Sequence, residues 1–289
     1  MTVTFLLDAP SLVYRAFFAL PTTLTDAQGR PVNAVRGFLE MVTRILIDHR
    51  PSRLVAVFDA NWRPDFRVEA FPGYKAARPE DPPELPRQFD VLATILDAAG
   101  IARAESEGLE ADDAIATLVE RMDPGESVVV VTGDRDLLAL IEDPRVRVLF
   151  PVRGTKEMTE FDEAAVEAKY RVPPRLYPAF ATLRGDSSDG LPGIPGIGPK
   201  RAADLLSRYG SIDGILGALG ELPPRQAAAF EEGRDYLEAM KTVVTLVRDA
   251  DVEITPAGPP DEKTLRELAG EHNLGSSVAR LLQALRGER

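Results

Sequence analysis

Four short apolar segments, separated by helix-like patterns, constrain the fold of this chain most strongly. They cover residues 3–8, 53–59, 127–134 and 146–152. All four are rich in branched and aromatic residues and lack polar alternation, which is typical of parallel strands buried on both faces. Amphipathic helical patterns lie between them, at residues 35–49, 86–100 and 111–122. This alternation predicts an α/β fold in which helices flank a parallel central sheet.

Beyond about residue 160 the pattern becomes helical. Apolar residues recur with helical spacing at 173–185, 199–210, 234–247 and 263–270. The sequence therefore predicts two parts, an α/β core over residues 1–172 and a helical part over residues 173–289.

Residues 61–86 form a long segment that fits neither pattern. The segment contains six prolines, one glycine and charges of both signs. An ordinary surface loop is one interpretation. Because compact domains rarely keep a loop of this length without a use for it, we interpret the segment as a mobile lid or arch over a functional site.

The chain has no cysteine and only two histidines, His49 and His272. Disulfides, thiolate zinc sites and cysteine nucleophiles are therefore excluded, and a histidine-rich metal site or a Ser-His-Asp relay is disfavoured. The N-terminus lacks the basic segment of a signal peptide, and no apolar run approaches about 18 residues. We therefore expect a cytoplasmic protein without a membrane span.

The net charge of −12 is unusual for a protein that binds nucleic acid, but the charges are unevenly distributed. Residues 105–143 hold twelve Asp and Glu against two Arg. Residues 61–78 hold four basic against two acidic side chains, and residues 199–208 hold three against one. Charge runs are usually solvated surfaces. The acidic stretch is interrupted by apolar patterns, so we expect most of its carboxylates at the ends of strands and helices.

Three predicted strands end in an aspartate, namely Asp8, Asp59 and Asp134. The carboxyl ends of parallel strands line the crevice in which an open sheet binds its ligands. A single aspartate in such a place is most often a helix N-cap. Three aspartates at equivalent strand ends are harder to explain in that way, and we expect them to face one crevice.

Further acids lie near these positions in the predicted fold. They are Glu110, Asp112, Asp113, Asp136, Asp186 and Asp189. So many carboxylates repel one another strongly unless cations are present. Oxygen ligands without His or Cys suit Mg²⁺ or Mn²⁺, and the calcium loop of an EF-hand is absent. Because pairs of such cations are typical of phosphoryl chemistry and no P-loop motif is present, we expect a polymeric phosphodiester substrate.

The segment 190–206 is the second strong signal. Gly196 and Gly198 precede a proline at the start of a predicted helix, and Lys200 and Arg201 follow it. Glycine permits a tight turn, and a helix N-terminus presents backbone N–H groups that bind phosphate. A plain turn between two helices is the alternative. The basic pair favours a grip on the DNA backbone that does not read bases.

Several ordered motifs resemble the 5′-nucleases, a family of flap endonucleases and 5′-exonuclease domains of bacterial DNA polymerase I. They are LLDAPSLVYRAFFAL, VAVFDA, FRVEAFPGYKAARPE, GLEADDAIATL, VVTGDRDLLAL and LRGDSSDGLPGIPGIGPKRA, within about residues 1–215. The resemblance implies a free-standing, structure-selective 5′-nuclease that cuts DNA at 5′ flaps, nicks and 5′ ends by two-metal-ion catalysis. It also implies a monomer that acts near the nucleoid in replication and repair, with a functional link to DNA polymerase and ligase.

The resemblance further implies a ligand set for the cations. Asp8, Asp59, Glu110 and Asp112 would bind the first ion, and Asp134, Asp136 and Asp189 the second, with Asp113 and Asp186 close by. Nine acids would also accommodate a third ion. The division of these ligands differs slightly among family members.

The same resemblance implies contacts with DNA. Tyr74, Lys75 and Arg78 fall in the arch of the family, where Lys75 is expected to neutralise charge at the scissile phosphate. Arg15 and Arg67 are weaker candidates, because a salt bridge explains each of them equally well. The glycine loop matches a helix–three-turn–helix at residues 173–210, which commonly binds K⁺ through backbone carbonyls and would make the helical part a DNA-binding subdomain.

Some features leave other interpretations open. Ala9 and Pro10 follow Asp8, where the family usually has a glycine, and Trp62 fits stacking on a DNA base or packing at the arch base equally well. An RNA-directed nuclease of PIN-like fold would also gather acids at strand ends, but the loop at 185–201 is not expected there. A non-catalytic DNA-binding scaffold would be expected to lack some of the motif acids.

Overall fold

One mixed sheet forms the centre of the molecule. The computed structural model describes residues 2–154 and 157–288. The strands are β1 Val3–Asp8, β2 Arg53–Val57, β3 Ala102–Glu105, β4 Ser127–Val131, β5 Val146–Arg153, β6 Glu157–Phe161 and β7 Glu253–Ile254. Their spatial order is β6-β5-β4-β1-β2-β3-β7. The five inner strands are parallel, and the edge strands β6 and β7 run antiparallel to their neighbours, which confirms the predicted parallel centre.

The four predicted strands are present, and two of them end earlier than predicted. β2 ends at Val57 and β4 at Val131, so Asp59 and Asp134 lie two and three residues beyond their strands. The sequence prediction missed β3, β6 and β7. These strands carry charged residues and contain only two to five residues, so no uninterrupted apolar run marks them.

Helices cover both faces of the sheet. They are α1 Ala9–Ala19, α2 Asn33–His49, α3 Asp65–Ala70, α4 Leu85–Ala98, α5 Ala111–Arg121, α6 Glu163–Tyr170, α7 Tyr177–Arg184, α8 Pro199–Tyr209, α9 Ile212–Gly217, α10 Pro224–Glu232, α11 Arg234–Val243, α12 Glu262–Glu271 and α13 Gly275–Leu285. Each predicted helical pattern contains a helix, with bounds that differ by a few residues. The prediction missed α1, α3, α6, α9, α10 and α13.

The two faces of the sheet bury separate apolar cores. Leu6 points into the core that contains α5 and the helices α7 and α8, whereas Phe5 and Leu7 point into the core that contains α1, α2 and α4. The helices α12 and α13 join this second core through buried leucines. The division at residue 172 stays a prediction, but the last two helices pack on the α/β core and not on the other C-terminal helices.

The segment 61–86 is not the free loop that its composition indicated. It contains α3, and Arg67, Tyr74 and Lys75 within it are buried. The reason is a set of buried polar contacts that its basic residues make, described below. Its longest mostly exposed stretch is residues 76–84, where Asp81 accepts a hydrogen bond from the Tyr14 hydroxyl.

Within the described residues, none of the helices combines the length and the apolar character that crossing a bilayer requires.

Candidate metal centre

Asp8 is buried at the point where β1 ends and α1 begins. Its carboxylate accepts hydrogen bonds from the Thr132 hydroxyl at 2.5 Å and from the Ser11 backbone N–H at 3.2 Å. The second bond caps α1, so Asp8 has the N-cap role and also faces the crevice. The Thr132 hydroxyl accepts in turn from the backbone N–H of Asp134 at 2.8 Å. Thr132 therefore holds Asp8 and Asp134 beside each other.

The first turn of α5 supplies the next acids. Asp59 accepts from the Ala111 backbone N–H at 2.7 Å, which ties the segment after β2 to this turn. Glu110 occupies the N-cap position and Asp112 lies in the first turn. Backbone N–H groups at a helix N-terminus favour negative charge, so the sequence places carboxylates where the helix tolerates them.

Asp136 and Asp189 complete the cluster from two further segments. The backbone N–H of Asp136 donates to the Asp134 carboxylate at 2.9 Å. Asp189 lies in a tight turn whose ends, Asp186 and Leu191, pair through backbone hydrogen bonds of 2.9 and 2.7 Å. The Asp189 backbone carbonyl accepts from the Lys75 N–H at 2.9 Å, so this turn contacts the arch segment directly.

A glycine makes that contact close. Gly190 has a φ of +73°, and a Cβ atom there would lie 2.5 Å from the Gly73 carbonyl oxygen. A side chain at position 190 would force the two backbones apart. The turn that carries Asp189 and the segment that carries Lys75 are therefore fitted to each other.

Burial and mutual repulsion raise the pKa of several of these acids. Burial is the main cause for Asp8, whose pKa rises to about 7, and the charges of Asp134 and Asp59 add to it. Burial also raises the pKa of Asp189, to about 6, although Lys75 opposes the rise. The pKa values of the remaining shifted carboxyls, Asp59, Asp112 and Asp136, are raised for the same reasons.

Asp134 is the common neighbour in this cluster. Its charge raises the pKa of Asp8 and Asp112 on one side and the pKa of Asp136 and Asp189 on the other. Asp134 thus lies between the two groups of acids that the sequence resemblance divided between two ions.

Arg67 and Asp113 are paired with each other beside the carboxylate cluster. The Arg67 guanidinium donates to both Asp113 carboxylate oxygens and to one Glu110 oxygen, each at 2.7 Å. It also donates to the backbone carbonyls of Val243, at 3.0 Å, and Thr245, at 3.2 Å. These contacts agree with the salt-bridge interpretation of Arg67, whose side chain is only 2% exposed.

Asp113 shares its partner Arg67 with Glu110 of the carboxylate cluster. It is fully buried, and besides Arg67 it accepts from the Val247 backbone N–H at 2.9 Å. Both of its carboxylate oxygens therefore have partners within the protein. Arg67 and Asp113 connect α3 and α5 to the segment after α11.

Three predicted arch residues reach the cluster. The Tyr74 hydroxyl donates to Glu110 at 2.7 Å, and the Lys75 ammonium forms an ion pair with the same carboxylate. Burial lowers the pKa of Lys75, but the charges of Glu110 and Asp189 outweigh it and raise the pKa. Lys75 also has a φ of +52°, a strained backbone conformation of the kind found at functional sites. Arg78 is partly exposed, with a guanidinium nitrogen 3.6 Å from Asp189.

A cavity of about 670 Å³ opens over these acids. Its volume lies within the roughly 300–1,000 Å³ of typical small-molecule sites. Asp8, Asp59, Glu110, Asp112 and Asp134 line its floor, and its other walls come from α1 and from the arch segment. Lys75 and Arg78 are the basic side chains that line it among the described residues.

Comparison with known proteins identifies the family. The family model of the 5′-3′ exonuclease N-terminal resolvase-like domain matches residues 3–171, and that of the 5′-3′ exonuclease C-terminal SAM fold matches residues 172–263. A 5′-3′ exonuclease of Streptomyces coelicolor is 44% identical over 97% of this chain and 99% of the relative. The chain belongs to the 5′-3′ exonuclease family. It is therefore a nuclease, as the sequence motifs predicted.

Other relatives show which proteins match this chain over their full length and which match it over one part. A 5′-3′ exonuclease of Mycobacterium tuberculosis is 41% identical over 97% of this chain and 96% of the relative. The DNA polymerase I of Mycobacterium bovis is 42% identical over 87% of this chain but only 28% of the polymerase. The chain thus matches relatives of its own length along their whole length, and matches one part of the polymerase.

Solved structures share the fold of this 5′-3′ exonuclease. The T5 D15 protein co-crystallised with metal ions has a TM-score of 0.65 at 16% identity, with 99% of this chain and 98% of that chain covered. The catalytic core of Rad2 in complex with a DNA substrate has a TM-score of 0.66 at 15% identity, with 98% and 93% covered. At these identities the similarity bears on the fold alone.

The chemistry of the acids fits divalent cations. The donors are carboxylate oxygens, the ligands that Mg²⁺ and Mn²⁺ prefer, and their raised pKa values show that nearby basic groups do not neutralise them. Among the described residues no three acidic or histidine side chains converge closely enough to enclose an ion as they stand. Glu110 contributes to this spread, because its carboxylate is turned toward Arg67, Tyr74 and Lys75.

The remaining predicted site residues lie at the periphery. Asp186 forms an ion pair with Arg184 at 2.9 Å and accepts from the Ser188 backbone N–H, so it shapes its turn. The Arg15 guanidinium donates to the Pro151 backbone carbonyl.

The predicted phosphate grip is exposed. Gly196 has a φ of +80°, Gly198 is the residue before α8, and Lys200 and Arg201 are exposed in the first turn of that helix. When the amide oxygen of Gln226 is turned toward Arg201, it accepts from the guanidinium at 3.0 Å. Lys200 is therefore the more accessible of the two basic side chains.

Proposed function

We propose that this nuclease hydrolyses DNA phosphodiesters at 5′ flaps, nicks and 5′ ends with two Mg²⁺ or Mn²⁺ ions. The observation that carries the proposal is the set of carboxylates with raised pKa values around Asp134, at the carboxyl edge of a parallel sheet. Such a set is unfavourable unless cations bind it. Membership of a family whose named relatives are 5′-3′ exonucleases supports DNA as the substrate.

The proposed ligands form two groups with one shared member. Asp8, Asp59, Glu110 and Asp112 would hold one ion, and Asp136 and Asp189 the other. We assign Asp134 to both, because its charge acts on acids of each group. The bound cations supply the Lewis acidity for phosphodiester hydrolysis.

The arch residues Lys75 and Arg78 provide the positive charge of the cavity. We propose that both contact the phosphate that is cut and that Lys75 leaves Glu110 to do so. Tyr74 and Arg67 keep hydrogen bonds to Glu110, so that carboxylate stays in place when the lysine moves. Lys75 is thereby proposed as the residue that stabilises developing negative charge.

The start of α8 is proposed to bind the backbone of the duplex part of the substrate. Its exposed N–H groups, with Lys200 and Arg201, suit a phosphate, and backbone carbonyls of the preceding turn suit a K⁺ ion. We further propose that the chain acts as a monomer and that polymerase and ligase process the ends that it produces.

The test compares a 5′-labelled flap, a nicked duplex, a blunt duplex and a single strand of equal length. Wild-type protein with Mg²⁺ or Mn²⁺ is expected to cut the flap near its base and to release short products from the nick. The Lys75→Ala variant should bind these substrates but cut them on the order of 100-fold more slowly or worse. Equal cleavage of RNA, or cleavage that persists in excess chelator, would contradict the proposal.

A matched pair of variants tests the phosphate grip. Lys200→Ala is expected to lower the affinity for duplex-bearing substrates and to reduce the slope of log K against log salt by about 0.9. Lys263→Ala serves as the control, because this exposed lysine lies on α12, outside the proposed interface. An unchanged slope for Lys200→Ala would remove α8 from the DNA-binding surface.

A further inference from the structure

Two large aromatic side chains remain exposed at the cavity that holds the acids. Phe18 is 72% and Trp62 is 49% exposed, and both line the cavity together with Arg78. The other strongly exposed large apolar side chains, Ile47, Val152 and Ile254, do not line it. A ligand that is apolar on its faces and charged at its edge would complement exposed aromatic residues beside a charged cavity.

We propose that Trp62 and Phe18 stack on unpaired bases of the 5′ strand and so select substrates that have a flap or a frayed end. A nucleobase is flat and apolar on its faces, and the attached phosphates carry the charge that Lys75 and Arg78 would meet. The inference rests on the proposed function, because it takes the acids beneath the cavity as the cleavage site.

The backbone around Trp62 is fixed on both sides. The N–H groups of Ala60 and Asn61 donate to the Leu109 carbonyl at 3.2 and 3.0 Å. The Arg63 guanidinium donates to the carbonyls of Tyr74, at 2.7 Å, and Pro72. Trp62 therefore lies on a hydrogen-bonded turn three residues after Asp59. Such a turn holds the indole in a fixed position, as stacking on a base requires.

Phe18 lies at the end of α1 that is far from Asp8. It belongs to the last turn of α1, about 15 Å along the helix from Asp8. Its ring packs edge-on against buried Phe17, with 5.3 Å between the ring centroids, so its own position is supported from below. A span of this length corresponds to several stacked nucleotides at about 3.4 Å each. Trp62 would thus hold a base near the cleavage site and Phe18 a base further out.

Tyr14 is a third aromatic residue that lines the cavity, and it already contacts Asp81 and Phe89. Its hydroxyl donates to Asp81, and its ring packs edge-on against Phe89 at 6.3 Å. Tyr14 also lines the cavity but fastens the exposed arch stretch to α1. The free aromatic faces are therefore those of Trp62 and Phe18.

The experiment measures binding without cleavage. Asp134→Asn protein is titrated into a labelled duplex with a six-nucleotide 5′ flap, and into the same duplex whose flap carries abasic sugars. Adding Trp62→Ala or Phe18→Ala is expected to weaken binding of the base-bearing flap by roughly 5- to 150-fold and to leave the abasic flap unaffected. Trp62→Phe should restore most of the affinity. Ile254→Ala, an exposed apolar residue on β7, is the matched control and should change nothing.

A spectroscopic readout is independent of any activity. Trp62 is the only tryptophan of the chain, so its fluorescence reports on this position alone. The base-bearing flap should quench it, and the abasic flap should not. Equal losses on both flaps, or fluorescence that ignores the bases, would overturn the stacking proposal. Cleavage assays on wild-type protein decide the proposed function separately.

Discussion

Asp112 and Asp113 are consecutive residues of α5 with opposite surroundings. Asp113 is paired with Arg67 and bonded to a backbone N–H, so its hydrogen-bond partners favour its charge. Burial raises the pKa of Asp112, and the charges of Asp134, Asp8 and Glu110 raise it further. A turn of about 100° around one helix separates a carboxylate that stabilises the fold from one that is available to a cation.

This difference explains how the folded protein tolerates so many carboxylates in a small volume. The Arg67–Asp113 network connects α3, α5 and the segment after α11, and it keeps its charges neutralised. The carboxylate cluster next to it stays repulsive. We expect removal of charge to have opposite effects on stability in these two regions.

The largest effect is expected for Asp134→Asn. Cleavage of a 5′ flap should fall on the order of 1,000-fold or more, because both proposed ions lose a ligand. Without divalent cations the same variant should be more stable than wild type, since one of the repelling charges is gone. Single-turnover cleavage and urea unfolding in EDTA measure the two effects. A variant that is both inactive and destabilised would contradict the claim that the cluster is repulsive without cations.

Arg67→Met should have the opposite outcome for stability. It leaves Asp113 buried without its charged partner, which is expected to cost about 3–5 kcal/mol of the free energy of unfolding, whereas Glu110 keeps Lys75 and Tyr74. Urea unfolding provides the measurement. The double variant with Asp113→Asn should recover part of the loss, because an uncompensated charge is removed. Equal stability of Arg67→Met and wild type would show that the network is dispensable.

The pH dependence of stability should differ in sign between charged sites. The folded-state pKa of Asp8 is raised to about 7, so its contribution to stability is complete below pH 3.8 and is lost as pH rises through about 7. In EDTA the melting temperature should therefore fall between about pH 4 and about pH 7, by roughly 2–4 °C for each kcal/mol lost. Mg²⁺ should remove most of this fall, and Asp134→Asn should reduce it. An identical fall with and without Mg²⁺ would contradict cation binding at the cluster.

Asp26 gives the smallest and opposite pH effect. It is buried, and although burial raises its pKa, hydrogen bonds and charge from Arg30 and a hydrogen bond from Gln28 lower it to about 2. Its contribution to stability is present above about pH 4 and is lost as pH falls through about 2. Asp26→Asn is expected to cost about 1–3 kcal/mol at pH 7. The gap to wild type, measured by urea unfolding, should be constant from pH 8 to pH 5.

The strand-end acids were readable from the sequence, and the surroundings of each acid were not. Asp8, Asp59 and Asp134 follow buried strands, and the topology of a parallel sheet then places them at one edge. Arg67 and Asp113 meet carbonyls and an N–H at residues 243–247, more than 120 residues away in sequence. No local pattern predicts such contacts, so the sequence could not show that Asp113 pairs with Arg67.

The sequence contained a helix-start pattern for α1, but we interpreted its first residue as the end of a strand. Asp8 followed by Pro10 is a typical helix start, with a capping side chain and a proline in the first turn. We interpreted Asp8 as a strand-end acid, and the structure gives it both roles. The short polar strands β3, β6 and β7 depend on neighbours already in place, so their own sequences carry little information about them.

The contact between Gly73 and Gly190 limits how the arch can move. The backbone from Gly73 to Lys75 is locked against the turn that carries Asp189, and there is no room between them for even a methyl group. An arch that opens to admit a strand must therefore pivot beyond Lys75, within the exposed residues 76–84. The lysine would stay with the acids during each opening, so the site would admit and release DNA without being dismantled.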